Sequence, residues 1–344
     1  MPPGDIPSPV ACLTVEGVDR ARFETELRPL ARPILMKGLV AEWPAVQAAQ
    51  QSPQAVADYL KAFDAGLKTP VSVLPAQSGG LYFYDETLAA LNYRTVNQFL
   101  PDIIDRLIER RDETGGESLY MQSLPVEMFL PRFVQDNRMW LLDDEAPPRI
   151  WPRIWIGNRL TIQTHYDQSD NLACVIAGRR RFTLFPPDQL QNLYPGRDDF
   201  TPGGTPVSMA SLDNPDFERF PRLAEALSHA QVAEMKPGDV LYIPYGWWHR
   251  VESLSGFNAL VNYWWNEADP ALISPKIALK AALLAVRALP PEQRAVWKSV
   301  FDYYIFETAG DPMAHLPQDA RGSFGDLTPE LIKSLKDQVR AGVK

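Results

Sequence analysis

Between residues 117 and 265 the chain reads as a succession of short apolar or alternating runs, each closed by a Gly, Pro or Asp turn. The runs fall at 117–124, 153–157, 160–165, 172–177, 181–185, 232–235, 240–243, 249–253 and 259–265. Runs this short suit strands rather than helices, and their apolar positions alternate with a period of two. Many short strands separated by tight turns argue for a closed, mainly β core. The 32 prolines of the 344-residue chain point the same way, favouring turns and strand ends over long helices. One stretch breaks the rhythm: residues 186–227 are rich in Pro, Gly and Asp. A segment of that length in a compact domain is usually functional or mobile, and we read it as a wall or lid of a substrate site.

Flanking regions differ in character, giving a partition into 1–116 (mixed α/β, part of the same catalytic domain), 117–267 (the β core) and 268–344 (a helical extension). Residues 1–12 are Pro-rich and read as loose. A helix is expected at 19–27, ended by Pro29, then a strand within 31–40 and a loop from Trp43-Pro44. A helix at 54–63 and strands at 70–74 and 81–85 follow. Val96, Phe99, Leu100, Ile103, Ile104 and Leu107 recur at steps of three and four, predicting a helix over 95–111 that Pro101 kinks or restarts. Beyond residue 266, Ser274-Pro275 and Thr328-Pro329 each pair a capping residue with a helix-opening proline. Helices are expected from there to Pro290, over 291–308, and from 329 onward. Their apolar stripes (Trp297, Val300, Phe301, Tyr304 and Ile305 in the second; Leu331, Ile332, Leu335 and Val339 in the third) require a partner, either the core or a second copy of the chain.

A net charge of −9 disfavours nucleic acid as a partner, although Arg179, Arg180 and Arg181 run together. The two cysteines, Cys12 and Cys174, form neither a disulfide framework nor a zinc spacing, and Cys174 in its apolar run reads as a buried thiol. The first residues lack the basic and apolar regions of a signal peptide, and no apolar run reaches membrane-spanning length, so a cytoplasmic protein is expected.

The chain has four histidines, His165, His229, His249 and His315. In HYDQSDNLACVIAG, His165 and Asp167 stand two apart, which in a strand puts them on one face. KPGDVLYIPYGWWHR delivers His249 at a second strand end. Two histidines and one carboxylate on one face, with other positions open, suit non-haem Fe(II). The competing reading makes His165 and His249 ordinary polar residues at strand ends. His229 and His315 have no such context and read as surface residues. The aromatic cluster Tyr245, Trp247, Trp248, Tyr263, Trp264 and Trp265 reads as packing around the site, with one or two members lining it.

The segments NLACVIAGRRRFTLFPPDQLQNLYPG, DNPDFERFP, PGDVLYIPYGWWHRVESL and LVNYWW, in that order, resemble the JmjC-related cupin group. In pattern they are similar to the asparaginyl hydroxylase of the hypoxia-inducible factor and its bacterial cupin-like relatives, most densely over 117–266. The resemblance implies a double-stranded β-helix (jelly roll) with flanking helices, Fe(II) held by His165, Asp167 and His249, and 2-oxoglutarate and O2 as cosubstrates. It puts Arg180 where the family has the lysine that binds the distal carboxylate of 2-oxoglutarate, with Arg179 or Arg181 as the inward residue if the register slips by one. Arginine can bind a carboxylate through two parallel hydrogen bonds.

Tyr120 matches the tyrosine that shares the distal carboxylate. Asn171 and Asn262 match two asparagines near the metal. A family threonine three residues before the first metal histidine is Ile162 here: either Thr164 replaces it through a local bulge, or that contact is lost. The related hydroxylase dimerises through C-terminal helices, which implies a homodimer. Asp167 fills the position that related halogenating enzymes leave to chloride, so hydroxylation of a protein, peptide or small amino-acid-like substrate is implied, with N-demethylation beginning by the same step. The alternative function is a non-catalytic metal-binding cupin acting as a ligand sensor or interaction module. A sugar-isomerase cupin is disfavoured, because such sites more often carry an extra histidine.

Overall fold

The computed structural model describes residues 8–142 and 150–343; residues 1–7 of the Pro-rich start lie outside the described residues. The core strands are β1 Ser118–Pro125, β2 Trp151–Gly157, β3 Leu160–Tyr166, β4 Asp170–Ala177, β5 Arg180–Phe185, β6 Gln231–Met235, β7 Val240–Ile243, β8 Trp248–Ser253 and β9 Asn258–Trp265. Every run expected as a strand between 117 and 265 is one, with ends within two residues.

In one sheet β6, β5, β8 and β3 lie side by side, flanked by Val10–Ala11 and Leu81–Tyr82. In the other, β7, β4, β9, β2 and β1 form the middle. It extends through Lys68–Leu74 to Arg94–Phe99 on one side and through Ile34–Met36 to Leu13–Val15 on the other. The two sheets form the expected jelly-roll core.

The period of two sorts side chains between two interiors. On β9, Ala259, Val261 and Tyr263 join the outer core, where helices cover the larger sheet, while Leu260, Asn262 and Trp264 face the space between sheets. On β4, Leu172, Cys174 and Ile176 go outward and Asn171 and Ala173 inward, so Cys174 is a buried thiol as expected. Between the sheets Val175, Phe182, Leu184, Met235, Leu241 and Ile243 fill part of the interior, each aliphatic side chain contributing about 1.5–3 kcal/mol of burial. The remainder is an open cavity.

N-terminal to the core, the structure corrects two expectations. The helix predicted from 95 begins at Leu100 and runs to Glu109 with Pro101 in its first turn, where the missing N–H costs nothing. Val96 and Phe99 belong to the strand Arg94–Phe99, paired with Lys68–Leu74; the steps of three and four were a strand running into a helix. The expected loop after Trp43 is the helix Pro44–Gln51, whose buried stripe is Ala45, Val46 and Ala48, residues too small to stand out as a pattern. The strand expected within 31–40 forms as Ile34–Met36 and runs into a turn at 37–42, where Gly38 has left-handed backbone.

The chain up to Asn266 is one compact unit, and Glu267 onward is a second. The second contains helices Pro275–Ala285, Pro291–Tyr304 and Pro329–Gly342, the first capped by Ser274 and the third by Thr328. The first two bury no residue. No described helix is long and apolar enough to cross a membrane.

Candidate active site

His165 and His249 are direct cross-strand partners on β3 and β8, so antiparallel register brings their rings to a centroid separation of 4.3 Å. Asp167 lies just past the end of β3, where its carbonyl accepts from the Gly246 N–H at 3.0 Å. Its carboxylate reaches within 3.7 Å of His249 Nε2. One donor atom from each of the three residues lies within 4.8 Å of the others, a spacing one ion can bridge.

Each imidazole is oriented by a carbonyl two residues upstream: His165 Nδ1 to Gln163 at 2.8 Å and His249 Nδ1 to Trp247 at 3.0 Å. A carbonyl only accepts, so Nδ1 carries the proton and a neutral ring keeps the Nε2 lone pair for a metal. Burial, and then His165, push the His249 pKa down to about 4 against the opposing pull of Asp167. His249 is therefore a neutral ligand at pH 7.

Arg180 opens β5 after Gly178, whose φ is +77° and whose Cβ, if present, would collide with Asn258 Oδ1. That turn fixes the register. Arg181 points outward to Glu234 at 2.7 Å, and Arg179 approaches the same carboxylate at 3.9 Å. Arg180 points inward and is 2% exposed, with Nε and Nη2 lacking any hydrogen-bond partner. Burial pulls its pKa down, and the nearby group that opposes this is the Tyr120 hydroxyl. Burial pushes the Tyr120 hydroxyl well above its ordinary value, so it remains a protonated donor. A buried, unpaired guanidinium costs several kcal/mol unless an anion joins it. A donor set of one cation and one phenol fits a carboxylate.

The triad, Arg180, Tyr120, Asn171 and Asn262 all line one cavity. Trp155 Nε1 donates to Asn262 Oδ1 at 2.7 Å, fixing that amide, while Asn171 Oδ1 has no partner. Of the two alternatives for the missing threonine, replacement by Thr164 gains no support, because Thr164 does not line the cavity. A bulge is present, since Gln163 and Thr164 together oppose Arg250. It brings Gln163 and Ile162 to the wall instead; Thr164 is fully buried and its hydroxyl has no partner. Of the aromatic cluster only Trp264 lines the cavity; Trp247, Trp248, Tyr263 and Trp265 are buried elsewhere and Tyr245 is exposed. Gln122 and Trp155 line it too, and alternation from Tyr120 along β1 was a signal for the first. His229 bonds to its own short helix through the Glu225 carbonyl, His315 is exposed, and neither joins the metal cluster.

The 186–227 insert supplies Pro202, Gly203 and Val207 to the cavity wall. Its outer loop hangs on two phenols: Tyr84 donates to the Phe200 carbonyl at 2.6 Å and Tyr93 to the Pro202 carbonyl at 2.9 Å. Its inner part packs on Phe185 and Trp248 through Leu193, Ala210, Leu223 and Ala226.

Residues 20–270 match the family described as cupin-like domain. The chain is 29% identical to lysine-specific demethylase 8 of Danio rerio over 249 residues, 71% of this chain and 56% of that protein. It is 25% identical to Jumonji C domain-containing protein 5 of Drosophila melanogaster, over 71% of this chain and 57% of that protein. HSPB1-associated protein 1 of Homo sapiens is 33% identical over 42% of this chain and 30% of its own length. The chain thus spans little more than half of the first two.

Proposed function

The chain belongs to the cupin-like family of JmjC-related Fe(II)- and 2-oxoglutarate-dependent oxygenases, and on that premise we propose that it hydroxylates a C–H bond of a protein, peptide or amino-acid-like substrate. The chemistry available with Fe(II), 2-oxoglutarate and O2 bound is release of succinate and CO2 coupled to insertion of one oxygen atom into that bond. The protein's share is positional. His165, Asp167 and His249 would hold the metal on one face and leave the rest open. Arg180 and Tyr120 would hold the distal carboxylate, and Trp155, Phe182, Val251 and Leu260 give the cavity apolar walls.

The observation that carries this reading is Arg180, a buried cation without a partner, lining the same cavity as the triad. Hydroxylation is supported over lysine demethylation by the charge of the walls. Among the described lining residues the only carboxylate is Asp167, itself a metal ligand, so a lysyl ammonium would find no counter-charge of its own.

Anaerobic titration with Fe(II) and 2-oxoglutarate tests the reading: the visible charge-transfer band of iron chelated by a 2-oxo acid is expected, and it is lost in His165→Ala. Metal binding without that band, or Arg180→Ala binding 2-oxoglutarate as wild type does, would favour the non-catalytic sensor.

We further propose a homodimer through the C-terminal helices. Ile277, Leu279, Leu283, Leu284, Val296 and Trp297 are exposed on two helices that bury nothing. A monomeric mass by light scattering at micromolar concentration would overturn it.

A further inference from the structure

The bulge on β3 has an outer face, and the insert is bonded to it. The extra residue leaves backbone groups outside the β3–β8 ladder, as bulges do. The Thr164 carbonyl accepts from the Ser208 N–H at 2.7 Å, and Gln163 Nε2 donates to the Ala210 carbonyl at 3.3 Å. Val207 forms an isolated antiparallel bridge with His165 itself. The same insert segment is braced from behind, where Gly196 N–H donates to the Val207 carbonyl at 2.8 Å and Met209 N–H to the Tyr194 carbonyl at 2.9 Å.

Opposite the bulge, on the other metal-bearing strand, stands Arg250. It follows His249, so its side chain leaves the opposite face of β8. It is 6% exposed, and Nη2 lies 2.6 Å from both carboxylate oxygens of Asp213, on the insert. Glu252 is more distant, at 3.9 Å from Nη1. Asp213 is itself 64% exposed at its side chain. The insert thus bonds to β3 through residues 207–210 and to β8 through Asp213, spanning the pair of strands that present His165 and His249.

We propose that Asp213 is a positioning residue, which through Arg250 fastens the insert as a splint across the two metal-bearing strands and so holds the spacing of His165 and His249. The inference rests on the metal-site reading above. It assigns the insert a task distinct from forming a wall: the segment sets how well the apo-protein matches a metal ion.

Co(II), added alone to the full-length apo-protein and followed by its visible absorption, is the probe. Asp213→Asn should weaken Co(II) binding roughly three- to tenfold, at the low end of what outer partners of metal ligands contribute. Asp213→Glu should return it to within about twofold of wild type, since a carboxylate can again meet the guanidinium. In substrate-uncoupled succinate formation, Asp213→Asn should lower kcat with the KM for 2-oxoglutarate unchanged, because Arg180 is untouched. Arg197→Ala is the control: its guanidinium pairs with Asp199 within the insert, and both side chains are about half exposed. It should leave Co(II) affinity at the wild-type value.

Should Asp213→Asn fold poorly because Arg250 is stranded, the pair Asp213→Asn with Arg250→Met removes both charges and should still bind Co(II) more weakly than wild type. Wild-type Co(II) affinity in either variant overturns the splint alone. Failure of the wild-type protein to bind Co(II) overturns the metal site and the splint together.

Discussion

The metal triad and the Arg180 anchor line one cavity, yet they are satisfied in different ways. Both imidazoles of the triad have an oriented Nδ1–H bonded to a backbone carbonyl, and the strands behind them are braced by the insert. Two nitrogens of Arg180, Nε and Nη2, have no partner among the described residues. The fold completes the outer surroundings of a metal ligand by itself, because carbonyls are everywhere along a strand. It leaves the anchor incomplete, because only a separate anion can complete it. A pre-arranged metal face and a waiting cation make different demands on stability, and that difference can be measured.

The largest effect is expected at the anchor. In Arg180→Met the KM for 2-oxoglutarate should rise at least about 30-fold, matching loss of a charge pair worth roughly 2 kcal/mol or more. The apo-protein should melt no lower than wild type, since an unpaired buried charge has gone. A large drop in melting temperature would mean that Arg180 is structurally paired after all, and the contrast would fail.

At the triad the sign is reversed, and apo-stability carries the signal. The His249 imidazole protonates near pH 6.5 when unfolded but only near 4 in the fold. Its contribution is therefore complete above pH 6.5 and lost as pH falls toward 4. That loss is about 3 kcal/mol in chemical denaturation of the apo-protein. His249→Gln should remove this part of the slope; an unchanged slope would place the titration elsewhere.

Smaller effects sharpen the anchor. Tyr120→Phe deletes one hydrogen bond to a charged group and should raise the KM for 2-oxoglutarate about tenfold. Ile162→Thr restores a hydroxyl on the cavity wall where this chain lacks one. A gain of no more than about fivefold in 2-oxoglutarate affinity is expected, the worth of one neutral hydrogen bond. A much larger gain, measured by the same titration, would mean that the anchor as it stands is barely functional.

Much of this was legible in the sequence, and the rest failed for identifiable reasons. The core strands were readable because alternation between two interiors is a strong signal in residues such as those of β4 and β9. The triad was readable because His165 and Asp167 sit two apart at a strand end. Arg180 could not be separated from Arg179 and Arg181 by pattern, since one residue of register decides which faces inward, and the Gly178 turn sets that register. Replacement by Thr164 and loss of the contact could not be told apart, because a bulge adds a residue without announcing which of two side chains it turns inward. Pro44–Gln51 was missed because its buried face is made of alanines and one valine. The partners of the insert, Asp213 and Arg250, lie far apart in the chain, and nothing local marks them as a pair.

The insert is fastened with unequal strength along its length, which gives the site a mechanical hierarchy. Its inner stretch is laddered to the strand of His165 and packed on Phe185 and Trp248, whereas the loop carrying Pro202 and Gly203 hangs on the hydroxyls of Tyr84 and Tyr93. Two single side-chain hydroxyl bonds hold less than a stretch of paired and packed backbone does. One segment thus meets the site in two ways: backbone beside the strand of His165, and two phenol hydroxyls beside the cavity wall.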